Sequence, residues 1–172
     1  YNDVPYGSGG LKGKGALHDM SFRSPIIFYW KGHIEGSFNT SSLVSSMDIV
    51  PTVLDLVGLP IPDELRGRSL LTALKGGILD ERTELIGYSD RKRSPDPATL
   101  FSEKADGFYV RTHRWHFMWH PDEDEMELYD VTVDPRAENN LIEQFPQLVP
   151  GFMGLIAEWR REMNLESPVV MD

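Results

Sequence analysis

Four short segments, 84–89, 107–112, 114–119 and 126–131, are each rich in aromatic or β-branched residues and are separated by turn signals. An amphipathic stretch follows, in which Phe152, Leu155, Ile156, Trp159 and Met163 recur at i, i+3, i+4, i+7 and i+11. No other feature constrains the fold as tightly. Short alternating segments bounded by turns pair as antiparallel strands, and a single apolar helical stripe must be buried against one apolar face. The expected product is a four-stranded antiparallel sheet with the final helix lying across it.

The character of the chain before residue 78 is different. Residues 1–15 are rich in glycine and polar groups, as in Gly7-Ser-Gly-Gly10 and Lys12-Gly-Lys-Gly15. Such a loop can bring its backbone close to a partner. The run Ser24-Pro-Ile-Ile-Phe-Tyr-Trp30 is nearly continuous in apolar residues and reads as a central strand covered on both faces, ended by Lys31-Gly32. Ser45-Ser-Met-Asp48 has capping-box spacing ahead of Ile49, Val53, Leu54, Leu56 and Val57, with Gly58 as the stop. Pro51 fits this helix only in its first turn. Ser69 is placed to cap a shorter helix, Leu70 to Lys75. A strand and covering helices before residue 78 are thus followed by a separate antiparallel sheet.

Seventeen basic against 27 acidic residues give a formal charge of −10. That excludes broad nucleic-acid binding, which needs concentrated positive charge, but leaves room for a local basic site. There is no cysteine, so disulfides, thiolate zinc sites and cysteine nucleophiles are excluded within these 172 residues. No apolar run approaches the roughly 18 to 20 residues of a transmembrane helix. The first residue is Tyr1 rather than Met, which points to processing, trimming or a fragment.

The segment with the most chemistry is Gly13-Lys-Gly-Ala-Leu-His-Asp-Met-Ser-Phe-Arg-Ser-Pro25. Glycines on both sides of Lys14 remove steric cover and let its ammonium face a bound anion. Asp19 and Arg23 are four apart, the spacing of an ion pair that ties this loop to the next element. His18 stands close enough to Lys14 in sequence to line the rim of the same pocket.

This string resembles the sulfatase family, which carries glycine-lysine-glycine, then an acidic residue, an arginine and a proline at the spacings of Lys14, Asp19, Arg23 and Pro25. Met47-Asp-Ile-Val-Pro-Thr-Val-Leu-Asp-Leu-Val-Gly58, Leu65-Arg-Gly-Arg-Ser-Leu-Leu71 and Glu127-Leu-Tyr-Asp-Val-Thr-Val-Asp-Pro135 with Asn140-Leu141 resemble later motifs of that family, in the same order. The resemblance implies that residues 1–78 are the C-terminal part of the large catalytic α/β domain of the alkaline phosphatase superfamily. It implies that residues 79–172 are the small C-terminal subdomain.

The resemblance also implies sulfate-ester hydrolysis, with Lys14 binding the sulfate and stabilising charge as the S–O bond breaks. Asp19 and Arg23 then read as structural. The family's formylglycine comes from a Cys/Ser-x-Pro-x-Arg motif that is not in this sequence. Its divalent metal, usually calcium, uses two early aspartates and a later Asp-Asn or Asp-His pair a short way before the lysine. Asn2 falls at the second position of such a pair, with Tyr1 in place of the aspartate and Asp3 in place of the glycine. The nucleophile and most metal ligands are therefore expected in a missing N-terminal portion, without which the chain should neither fold well nor be active. The expected substrate is a sulfate-ester small molecule or a sulfated carbohydrate, and the resemblance favours a periplasmic or secreted location. A phosphate or phosphonate ester hydrolase of the same superfamily, or a degenerate non-catalytic module, stays open.

Other clusters carry weaker chemistry. His116 and His120 share a strand face about 13 Å apart, too far for one ion, and His113-Arg114 reads as a hairpin turn. Asp122-Glu-Asp-Glu-Met-Glu127 reads as a solvated turn. Arg91 and Arg93, in the polar loop Ser89 to Thr99, are candidates to meet an anionic or sugar part of a substrate.

Overall fold

The computed structural model describes residues 17–19, 23–34, 36, 41–89, 107–121 and 124–163. These form two units, one from residues 1–23 and 86–172 and the other from 24–85.

In the 24–85 unit the capping box forms as the spacing requires. The Ser45 backbone N–H donates to Asp48 Oδ2 at 2.8 Å, and Ser45 Oγ accepts from the Met47 N–H at 3.3 Å. A 3-10 turn, Ser46–Asp48, leads into α1, Ile49–Leu56. Pro51 sits in the first turn of α1, where its missing N–H leaves no intrahelical bond unmade.

Asp48 then acts as a hub. Its fully buried carboxylate receives both terminal nitrogens of Arg82 at 2.8 Å and the Arg68 N–H at 2.9 Å. Burial pushes its pKa up, but these donors outweigh burial and hold it below the usual range. Thr52 Oγ1 donates to the Asp48 carbonyl at 2.5 Å and accepts from the Leu70 N–H at 2.9 Å. The 65–71 motif is thus stitched to the 47–58 motif. Gly67 is required there, because a Cβ at this position would lie 2.0 Å from the Met47 carbonyl oxygen. The second helix, α2, is a single turn, Leu71–Leu74. Ser69 Oγ still accepts from the Leu71 N–H at 3.1 Å while donating to Asp55 at 2.5 Å.

No strand forms over 24–30. Ile27 and Tyr29 are both 83 % exposed, and the segment has no strand pairing among the described residues. Its composition encodes cover on both faces, but a strand needs neighbours for its N–H and C=O groups, and no described strand supplies them.

The sheet matches expectation almost residue for residue. Strands β1 (Glu84–Ser89), β2 (Gly107–Thr112), β3 (Trp115–His120) and β4 (Glu125–Asp130) lie in the order β1-β2-β3-β4. β2–β3 and β3–β4 are antiparallel, with Val110 opposite Phe117 and Phe117 opposite Leu128. The β2–β3 hairpin turns at His113 and Arg114, as the sequence suggests. Gly107 opens β2 at φ +148°, where a Cβ would meet the Trp119 carbonyl oxygen at 2.4 Å.

The edge strand β4 is closed by the late motif. The Leu128 N–H donates to the Asn140 side-chain oxygen at 3.0 Å, and the Leu141 N–H donates to the Leu128 carbonyl at 2.7 Å. The final helix, α3 (Val149–Glu162), buries Phe152 and Ile156 on one sheet face with Phe108, Val110, Phe117, Trp119 and Leu128. Leu155 and Trp159 pack at its border. No described helix is long and apolar enough to cross a membrane.

Candidate functional site

Strand alternation sends every second side chain to the sheet face away from α3. The register places Arg111 opposite His116 and His116 opposite Tyr129 in one row, and Tyr109, Met118 and Glu127 in the next. An ordinary two-layer fold would leave such a face in solvent, yet here His116, Met118, His120, Glu127 and Tyr129 are all buried. They are covered by Leu17, His18 and Asp19, which are buried too. Leu17 packs with Met118, Tyr129 and Ala137.

Asp19 carries the ionic part of this contact. Arg111 Nε donates to both of its oxygens, at 3.1 and 3.0 Å, and His116 Nδ1 lies 2.9 Å from Oδ1. Burial pushes the Asp19 carboxyl up, but the His116 hydrogen bond and charge, with those of Arg111, outweigh burial and bring its pKa down to about 2. An ionised carboxylate only accepts, so His116 Nδ1 carries the proton of that bond. The ion pair that the sequence suggested between Asp19 and Arg23 is replaced by this arrangement. What links those two residues is the Arg23 N–H donating to the Asp19 carbonyl at 2.7 Å.

Glu127 forms the second carboxylate centre and is no part of a solvated turn. The Tyr129 hydroxyl donates to it, and His120 Nε2 stands 3.6 Å away, a charge contact more than a hydrogen bond. Burial raises its pKa, and His120 and Tyr129 more than offset this, leaving it at about 2. His18 is 6 % exposed, with its ring 5.8 Å from that of Tyr129. Burial lowers its pKa, aided by His116 and His120 and opposed by Glu127 and Asp19, so the ring is neutral at pH 7.

The calcium expectation places most of the ligands N-terminal to this chain, and its one candidate here, Asn2, lies outside the described residues. No group of three His, Cys, Asp or Glu side chains among the described residues could hold a metal ion. The buried carboxylates of Asp19 and Glu127 are already committed to Arg111, His116, His120 and Tyr129.

A family model described as N-sulphoglucosamine sulphohydrolase, C-terminal, matches residues 7–151. The chain belongs to this sulfatase family. Arylsulfatase K of Bos taurus is 27 % identical over 143 residues, covering 78 % of this chain and 25 % of its own length. Among solved structures, one determined in complex with its substrate D-glucosamine-2-N,6-O-disulfate superposes with a TM-score of 0.57 at 24 % identity. It covers 73 % of this chain and 25 % of that one. The phosphonate monoester hydrolase of Agrobacterium radiobacter shares the fold at a TM-score of 0.55 and 22 % identity, over 72 % of this chain and 26 % of its own. The sulfatase chain therefore spans about a quarter of the length of the relatives it matches.

Of the site residues read from the sulfatase motifs, Lys14, Asn2, Arg91 and Arg93 lie outside the described residues. His18 is described, with its ring turned to Tyr129 inside the packed face. The buried cluster around Asp19 and Glu127 was not read from the sequence as a unit. Its signal was present in Arg111, His116, His120 and Glu127, polar residues at strand positions that share one face.

Proposed function

We propose that this chain is the C-terminal part of a sulfuric ester hydrolase in which Lys14 binds the sulfate group. The observation that carries this reading is the family match over residues 7–151, which includes the glycine-flanked lysine. A fixed ammonium beside the sulfuryl oxygens stabilises charge that grows as the S–O bond breaks. Residues 1–78 would belong to the large catalytic domain and 79–172 to the small subdomain. The formylglycine nucleophile and the ligands of a calcium ion are assigned to polypeptide N-terminal to these residues. Exposed apolar side chains in the 24–85 unit, among them Ile27, Tyr29, Val50, Val53 and Val57, support packing against such a portion. The substrate class we propose is a sulfated carbohydrate, met by Arg91 and Arg93 in the 89–99 loop, in an extracytoplasmic compartment.

The test is turnover of a generic aryl sulfate and of an aryl phosphonate by the full-length enzyme, beside Lys14→Ala. Sulfate turnover reduced about 10²- to 10³-fold by Lys14→Ala is expected. Preference for the phosphonate would favour the second reading, to which the fold shared with the phosphonate monoester hydrolase lends weight. Full activity in Lys14→Ala would remove the role given to this residue.

A further inference from the structure

Connecting segments ordinarily run over the protein surface, yet Leu17, His18 and Asp19 are all buried against the sheet face away from α3. Leu17 covers Met118 and Tyr129, both fully buried. His18 is inserted beside it among titrating groups. Glu127 from β4 and Asp19 from its own segment favour a charged ring, and His116 and His120 from β3 oppose one. Arg111 and Tyr109, from β2, act on Asp19. Both nearby carboxylates are engaged by other donors. Asp19 receives Arg111 Nε at 3.0 Å and His116 Nδ1 at 2.9 Å, and Glu127 receives the Tyr129 hydroxyl with His120 Nε2 at 3.6 Å. His18 Nδ1 is sealed from solvent and has no hydrogen-bond partner among the described residues. Protonation turns both nitrogens of an imidazole into donors. In the seated segment the Nδ1 donor would carry charge with no acceptor, far more costly than a neutral ring in the same place. The sheet has a second core that does not involve this cover. Val110, Phe117 and Leu128 are fully buried on the α3 side with Ile156 and Phe152.

We infer that residues 17–19 form an acid-sensitive latch: proton uptake by His18 releases the segment and uncovers Met118 and Tyr129, while the sheet and α3 stay folded. Burial holds the His18 ring below its ordinary range, so the released state binds more protons than the seated one. The seated state therefore weakens as pH falls below about 6.5. Asp19 and Glu127, at about 2, add to this only below about pH 5. Between about pH 6.5 and pH 5 the latch answers to His18 and not to its carboxylates.

The experiment follows methionine oxidation by dilute hydrogen peroxide in the full-length protein, resolved by mass spectrometry between about pH 7.5 and pH 5. Met47, 49 % exposed, reports the intrinsic reactivity, and Met118, fully buried with Leu17 packed on it, reacts when the segment is away. The Met118 rate relative to Met47 should rise below about pH 6.5, by up to about tenfold per pH unit, the limit for one proton. Amide exchange in β2, β3 and β4, corrected for its own pH dependence, should stay protected over the same range. His18→Phe keeps an aromatic ring beside Tyr129 and cannot titrate, so its ratio should not change with pH. A flat wild-type ratio overturns the inference. So does a rise matched by lost protection in the strands, which is global unfolding, or a rise that persists undiminished in His18→Phe. Should Met118 of His18→Phe already react as fast as Met47 near neutral pH, the segment is not seated in that variant, and His18→Gln replaces it under the same criteria. No activity is read, so failure here leaves the proposed hydrolysis untouched.

Discussion

Asp19 and Glu127 are carboxylates whose folded pKa values, about 2 in each case, lie below those of an unfolded chain. The unfolded state therefore binds more protons in acid, and stability falls as pH falls. Their contribution is complete above about pH 5 and is lost progressively towards pH 2, at roughly 2 to 3 kcal/mol for each group. His18 acts in the same sense at higher pH, because burial lowers its pKa and the neutral ring must be charged on acidification below about pH 6.5. Urea midpoints measured from pH 7 to pH 2 should fall across that range for the wild type. Replacing Asp19 with Asn and Glu127 with Gln should flatten the part below pH 5. An equally steep decline in the double variant would show that other carboxylates dominate acid unfolding.

At the scale of elements, α3 and the sheet are joined by few large side chains, and those few should carry the energy. Phe152 stacks on Phe117 with ring centroids 5.1 Å apart, and Ile156 is fully buried beside it. Phe152→Ala should cost about 3 to 5 kcal/mol, seen as a shift in denaturation midpoint. Arg161→Ala, on the exposed side of the same helix, should stay within about 0.5 kcal/mol. A Phe152→Ala effect no larger than that of Arg161→Ala would mean the helix is not held by this face. The strands were legible in the sequence to within a residue, because alternation and turn signals are local, and so was the helix stripe. The second face was not, because Arg111, His116 and Asp19 meet only through strand register and a contact 92 residues long in sequence. The strand expected over 24–30 failed for a related reason, since composition records a need for cover but not where the neighbouring strands are. Lys14, the residue the motifs single out most sharply, lies outside the described residues, so its place was legible only through resemblance.

Across the whole molecule, apolar burial is uneven. The sheet unit fully buries Val110, Phe117, Met118, Leu128 and Tyr129, whereas the 24–85 unit leaves Ile27, Tyr29, Val50, Val53, Val57 and Leu59 substantially exposed. What holds the latter together is chiefly polar, the Asp48 hub with Arg82, Arg68 and Ser45. Hydrogen bonds contribute less net stability than packed apolar side chains, so local opening should be easier there. In this chain by itself, amide hydrogen exchange should be slowest in β2, β3 and β4 and clearly faster in α1. A dye that binds exposed apolar surface should also bind at neutral pH, when the sheet is still protected. If the N-terminal polypeptide proposed above exists, adding it should slow exchange in α1 and abolish dye binding, because the exposed apolar residues would then be covered. Equal protection in both units of the isolated chain would instead mean that residues 24–85 are stable without further cover, and the missing-portion reading would lose its physical support.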